Sequence, residues 1–276
     1  MRQPALLSLL LCLVLPQLAW AAKDELRWNQ QLKAEYFAGK TILEGKDIIQ
    51  LSTPVRAEDP ALVPIKVTAK LLQTKTKYIK RLLVLIDKNP VPFVGEFEFT
   101  PDSGKADIAM RVRVNTYSYI RAIAEMNDGK IYMSKKFVKA SGGCSAPIGA
   151  DLDAAMRRLG KMKFKLAKGG KEGKPVQTQL LISHPNITGM QMDQVTRFVK
   201  KSHFVDQLKV TFNDKLVMKA KIDIAISADP NFRFYFVANK GGKLNAEFTD
   251  TSCELPTSRA VCTKGKRYSM SQDIAL

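Results

Sequence analysis

Apolar residues at every second position recur along most of this chain, a period that suits strands and excludes most helical arrangements. Ile108, Met110, Val112 and Val114 alternate with Asp107, Ala109, Arg111 and Arg113. A helix would scatter that set around its axis, whereas a strand gathers it on one face. Phe93, Phe97 and Phe99 alternate in the same way with Val94, Glu96 and Glu98, and Leu208, Val210 and Phe212 with Lys209 and Thr211. Phe232, Phe234 and Phe236 alternate with Arg233 and Tyr235. Further strands are expected over residues 65–72, 79–86, 176–183 and 216–222. Turn signals separate them. Asn127-Asp128-Gly129 links residues 118–126 to 130–139 as a hairpin, with glycine where a left-handed residue is wanted. Asn213-Asp214 and the Gly241-Gly242 stretch mark two more turns. Short strands broken by frequent turns predict an all-β fold with a β-sandwich in each half.

Two segments depart from that pattern. Trp28, Leu32 and Tyr36 recur every four residues, which predicts a short leading helix. Leu152, Ala155, Met156 and Leu159 also follow helical spacing, and a lysine- and glycine-rich stretch follows them up to Pro175. The expected organisation is a leader at 1–21, a first sandwich at 22–147, a short helix and linker at 148–174, and a second sandwich at 175–276. The two halves are not a repeat of one another.

The leader fixes the expected compartment. A basic start at Arg2 precedes an apolar run from Leu6 to Leu15, and Ala19 and Ala21 supply the small residues of a signal-peptidase site. The run is too short and too early for a spanning helix. We therefore expect an exported, periplasmic protein cleaved near Ala21, without stable membrane insertion.

Export gives meaning to the cysteines. Cleavage removes Cys12 and leaves Cys144, Cys253 and Cys262. Cys253 and Cys262 flank a short turn-like segment containing Pro256 and are the natural disulfide pair. That bridge would be worth roughly 2–3 kcal/mol. Cys144 is left over, in the run Ser141-Gly142-Gly143-Cys144-Ser145-Ala146-Pro147. Two readings are open for it. A lone cysteine is often an inert core residue. Paired glycines and a nearby proline fit a packed strand poorly, however, and favour a loop or arm that displays the thiol.

Charge and composition narrow the partners. Lys plus Arg number 44 against 26 Asp plus Glu, a net charge of +18, with the positive residues spread through both halves. An exported chain without interleaved aromatic and arginine platforms is not expected to bind nucleic acid. A positive field suits anionic small molecules, acidic proteins or anionic headgroups. Two histidines, neither at zinc-ligand spacing from a cysteine, predict no metal centre. For His184, followed by a proline, a turn or core role is expected over a catalytic one. No phosphate-binding glycine fingerprint, GxSxG elbow or CxxC pair occurs, so neither catalysis nor a cofactor is expected.

Motifs around the thiol carry a family resemblance. Val138-Lys-Ala-Ser-Gly-Gly-Cys144, preceded by Arg121-Ala-Ile-Ala-Glu125 and Asp128-Gly-Lys-Ile-Tyr132, resembles the SoxY subunit of the bacterial sulfur-oxidation carrier. Leu181-Ile-Ser-His-Pro185, Thr188-Gly189 and Ile226-Ser-Ala-Asp-Pro230 resemble its partner SoxZ. The arrangement is similar to the fused SoxYZ-like carriers that accompany quinoprotein dehydrogenases. The resemblance implies immunoglobulin-like sandwiches in both halves and a periplasmic location. It implies that Cys144 holds sulfur intermediates covalently, as in thiosulfate oxidation, with Gly142 and Gly143 as the swing of the arm. Implied partners are periplasmic redox enzymes, of sulfur oxidation or a quinoprotein dehydrogenase or cytochrome, together with anionic sulfur species. For the His184-Pro185-Asn186 signature only a structural role is implied. This chain departs from the separate subunit, whose cysteine lies in a Gly-Gly-Cys-Gly-Gly tail. Here Ser145-Ala146-Pro147 follows and the chain continues. The rival expectation is a non-catalytic accessory protein whose basic surface docks a periplasmic dehydrogenase or cytochrome.

Overall fold

The computed structural model describes residues 24–147, 151–253 and 265–275. The leader at 1–21 and Cys262 lie outside the described residues, so the expected cleavage and the Cys253–Cys262 bridge do too. The chain divides into a short leading unit, ending at Thr41, and a main unit from Ile42 to Leu276.

In the leading unit, a π-helical turn at Trp28–Leu32 runs into helix α1 (Lys33–Phe37). The Trp28 ring meets Phe37, with centroids 6.3 Å apart. A four-residue repeat would have brought Tyr36 to that face. The wider π turn inserts one residue and advances the contact to Phe37.

The main unit is all-β, built as two immunoglobulin-like sandwiches. The first half supplies β1 (Ile42–Glu44), β2 (Ile49–Ser52), β3 (Val63–Ala69), β4 (Ile79–Ile86), β5 (Phe93–Phe99), β6 (Ile108–Val112), β7 (Ser118–Met126) and β8 (Ile131–Val138). The second half supplies β9 (Met162–Leu166), β10 (Pro175–Ile182), β11 (Val205–Phe212), β12 (Lys215–Ile222), β13 (Asn231–Val237), β14 (Gly242–Cys253) and β15 (Gly265–Ile274). They form a nine-stranded sheet, β1-β8-β7-β4-β5-β12-β11-β14-β15, and a six-stranded sheet, β2-β3-β6-β13-β10-β9.

Both sheets pass from one half into the other. β5 pairs with β12 antiparallel, from Gly95↔Ile222 to Phe99↔Met218, and β6 meets β13 at Ala109↔Arg233. Joining edge to edge satisfies backbone donors and acceptors that two separate sandwiches would leave open. The core is shared as well. Phe97 of β5 and Phe232 of β13, both fully buried, meet edge to face at 6.2 Å. The alternating residues Ile108, Met110 and Val112 face inward, as their period requires.

The stretch expected as helix and linker holds more structure than that. Helix α2 (Leu152–Arg157) is capped by the Asp151 carboxylate, which accepts the Ala154 N–H at 2.7 Å. β9 then pairs with β10, Phe164 opposite Leu180, and buries Phe164. Met162, Phe164 and Leu166 alternate with lysines, so the lysine content concealed a strand.

Among the described residues no helix is long and apolar enough to cross a membrane. The predicted hairpins form. Gly129 takes φ +84° between β7 and β8, and Asn213 and Asp214 take φ +46° and +64° between β11 and β12.

Candidate functional site

The site is the segment Ser141–Pro147 after β8, together with what lies beneath it. Cys144 is unpaired, but it is not displayed. The residue is 1% exposed, while Ser141, Ser145 and Pro147 around it are exposed. The expectation of a thiol held outside the body is therefore corrected: the segment runs over the surface with the thiol tucked inward. The two glycines serve docking rather than free swing. Gly142 takes φ +81° to turn the chain in. Gly143 lies so close to the backbone of Pro60 and Val114 that a Cβ would run into the Pro60 carbonyl oxygen and come within 2.6 Å of the Val114 oxygen.

Six hydrogen bonds hold the arm, from both halves of the chain. Gly142 N–H donates to Asn115 O at 2.8 Å and Gly143 N–H to Val114 O at 3.1 Å. Cys144 N–H donates to Asn115 Oδ1 at 3.4 Å, and Arg113 Nη1 to Gly143 O at 3.3 Å. From the second half, Thr188 Oγ1 donates to Cys144 O at 2.7 Å and Gln191 Nε2 to Ala146 O at 3.1 Å. Sequence reasoning could not see this cover, because Thr188 and Gln191 come from a loop far along the chain.

Burial sets the thiol's chemistry. It pushes the Cys144 pKa up to about 11, against the opposing pull of the Arg113 charge. At pH 7 that leaves roughly one thiolate in ten thousand, so the docked thiol is a poor nucleophile. Arg113 is itself buried, and its own pKa is lowered by that burial.

The dock rests on a loop anchored by a buried ion pair. Arg121, in β7, grips Asp87 through Nε at 2.9 Å and Nη2 at 2.8 Å, with both side chains 0% exposed. Two residues on, Asn89 Nδ2 donates to Arg113 O at 2.8 Å, and Asn89 Oδ1 accepts the Asn115 N–H at 2.8 Å. The pair therefore positions Arg113 and Asn115, which hold the arm.

One cluster escaped sequence reasoning. His184, His203 and Asp250 bring their ligand atoms within 4.8 Å of one another. His203 Nε2 lies 3.0 Å and His184 Nε2 3.4 Å from Asp250 Oδ2. The donor set resembles a metal site, but His184 Nδ1 accepts the Asn186 N–H at 3.0 Å. That bond places the ring proton on Nε2, the nitrogen a metal would need. Burial lowers the His184 pKa despite the Asp250 hydrogen bond and keeps the ring neutral. Burial would raise the Asp250 carboxyl, but hydrogen bonds from His184, His203 and Ser252 outweigh it and hold the pKa well below the usual range. The cluster clamps the His184-Pro185-Asn186 turn. Asn186, at φ +43°, donates to Ile226 O and Ser227 O, and its own carbonyl accepts from Arg113 Nη2 at 3.4 Å. His184 thus has a core role, one residue removed from the arginine beneath the arm.

The fold and site define a two-sandwich β-protein whose Cys144, unpaired, sits on a glycine arm. Residues 33–144 match the family of the sulfur oxidation protein SoxY, and residues 163–260 match that of the sulphur oxidation protein SoxZ. The chain belongs to these families as a fused SoxYZ-like protein, with both units in one polypeptide. The SoxY match ends on Cys144. No curated protein matches the chain. Among solved structures, a superoxide reductase (neelaredoxin) from Ignicoccus hospitalis is 13% identical, covering 33% of this chain and 79% of its own at a TM-score of 0.31. A glycosyl hydrolase family 2 member from Bacteroides cellulosilyticus is 9% identical, covering 81% of this chain and 28% of its own at 0.22. Likeness at that level is too slight to carry either fold or function.

Proposed function

We propose that this protein carries a sulfur intermediate covalently on Cys144 in the periplasm and presents it to partner redox enzymes. The observation that carries the reading is the unpaired thiol at the end of the SoxY match, on an arm held by hydrogen bonds and packing with no covalent tie at Cys144. Each such bond is worth about 0.5–1.5 kcal/mol net, so the six together hold the arm by about 3–9 kcal/mol, which contacts with a partner must offset to release it. The docked state protects the thiol, and the released state restores an ordinary thiol pKa. Joining the Cys144 sulfur to a sulfane sulfur such as that of thiosulfate forms one S–S bond, releases the thiol proton and removes two electrons. The chain supplies the thiol, and a partner enzyme takes the electrons.

The burial of Cys144 favours a second reading, a docking protein for a periplasmic dehydrogenase or cytochrome. The loop that fastens the arm exposes Val195 at 90% and Phe198 at 78%, beside Arg197 and Lys201. Substrate-dependent electron transfer in reconstituted periplasmic extract separates the two. The carrier reading expects Cys144→Ser to abolish it and Arg197→Glu with Lys201→Glu to slow it only modestly. The docking reading expects Cys144→Ser to be silent and the charge reversals to act in a salt-dependent way.

A further inference from the structure

Opposite-charge pairs across strands are the ordinary way to place cations on a sheet face. The nine-stranded sheet does this: Arg81 of β4 lies between Glu125 of β7 and Glu96 of β5, with Nε 3.0 Å from Glu125 and Nη1 2.9 Å from Glu96. The six-stranded sheet does not. At its centre Ala109 of β6 has Lys66 of β3 opposite on one side and Arg233 of β13 on the other. Arg111 follows two residues along the same face of β6. These residues line a trough of about 520 Å³, floored at Ala109, whose methyl leaves the middle open.

The three cations lack ion-pair partners among the described residues. Arg111 Nη2 donates to the Asp229 carbonyl oxygen at 3.2 Å, and its buried Nε has no partner. Two nearby carboxylates are engaged elsewhere. Asp229 turns its oxygens to His184 N–H and Arg158. Asp107, which feels the Lys66 charge, accepts the Ala69 N–H at 2.9 Å. With strands about 4.8 Å apart, Lys66 and Arg233 stand roughly 10 Å apart at their backbones, a span their side chains can close around a small anion.

We propose that this trough binds a small sulfur oxyanion, a divalent species of the thiosulfate or sulfate type. Arg111 forks onto its oxygens while Lys66 and Arg233 balance its charge. Placement ties the trough to the thiol. Arg113, two residues beyond Arg111 and about 7 Å along the strand, holds the Gly143 carbonyl of the arm. The trough therefore concentrates anionic substrate or product beside the place where Cys144 emerges. The choice of a sulfur oxyanion rests on the carrier reading, whereas the anion site itself does not.

Isothermal titration of the full mature protein with sodium thiosulfate and, separately, sodium sulfate tests it, with sodium chloride at matched ionic strength as the blank. Saturable binding is expected, weakened about tenfold or more in Arg111→Gln/Arg233→Gln and in Lys66→Gln, and abolished by Ala109→Glu. Cys144→Ser should bind as the wild type does, so failure of the carrier reading leaves this result intact. Thiosulfate binding more tightly than sulfate supports a substrate site, and equal affinities support a general dianion site of the same chemistry. Heats reproduced by chloride alone, or affinity unchanged in both the double variant and Ala109→Glu, overturn the proposal.

Discussion

Gly143→Ala is expected to raise the alkylation rate of Cys144 by iodoacetamide at pH 8 by about a hundredfold. The glycine occupies a gap between two backbone carbonyls, Pro60 O and Val114 O, and neither can move aside as a flexible side chain would. A methyl group there forces the arm off its seat. Release removes the desolvation that holds the thiol near 11 and returns it toward 9.0, its value without that burial. That change multiplies the thiolate fraction about a hundredfold, and the thiolate is the species that reacts. Thr188→Val separates release of the arm from general unfolding. It deletes the 2.7 Å bond to Cys144 O and the bond Thr188 Oγ1 accepts from Met190 N–H but leaves the Gly143 gap intact, so a smaller acceleration is expected with the thermal midpoint lowered by only about 2–6 °C and the protein still folded. Alkylation of Gly143→Ala at the wild-type rate would show that the dock does not control the thiol.

Arg121→Met should cost about 3–5 kcal/mol of stability, because it leaves the Asp87 carboxylate buried without its cation. The urea midpoint reads the effect directly. Replacing both partners, as Arg121→Met with Asp87→Leu, should recover most of the loss, since a well-packed apolar pair avoids the desolvation of two charges. Loss of the pair also loosens the loop that places Asn89 under Arg113 and Asn115. Alkylation of Cys144 should therefore accelerate in the single variant at temperatures where it is still folded. A single-variant cost below about 1 kcal/mol would show that water reaches Asp87 and that the pair is not an anchor.

Strands with a two-residue period were legible in the sequence nearly to their ends. β4 and β7 run over the residues expected, 79–86 and 118–126, because both sit in the middle of a sheet with strong apolar faces. β1 and β2 are only three and four residues long, too short for a period to stand out. β9 was hidden by its lysines. β15 lies at a sheet edge, where only Ile274 is buried among the residues of the strand, so little in Lys266-Arg267-Tyr268-Ser269 demands a strand.

The site was half legible. The leftover thiol and its glycines stood out, because glycine pairs and an odd cysteine are local signals. The cover over the thiol was not, since it depends on the second half bringing Thr188 and Gln191 across the first. His184 and Asp250 meet across 66 positions of sequence, and nothing in their neighbourhoods announces the other. A lone polar motif such as His184-Pro185-Asn186 hints at a buried partner without naming it.

The mass of the Cys144 peptide, from protein purified out of its own cells during growth on reduced sulfur, is the most direct measurement. Added sulfur should appear there, as sulfane or sulfonate mass that reductant removes, and should vanish in Cys144→Ser. Unmodified Cys144 under every such growth condition would contradict a carrier.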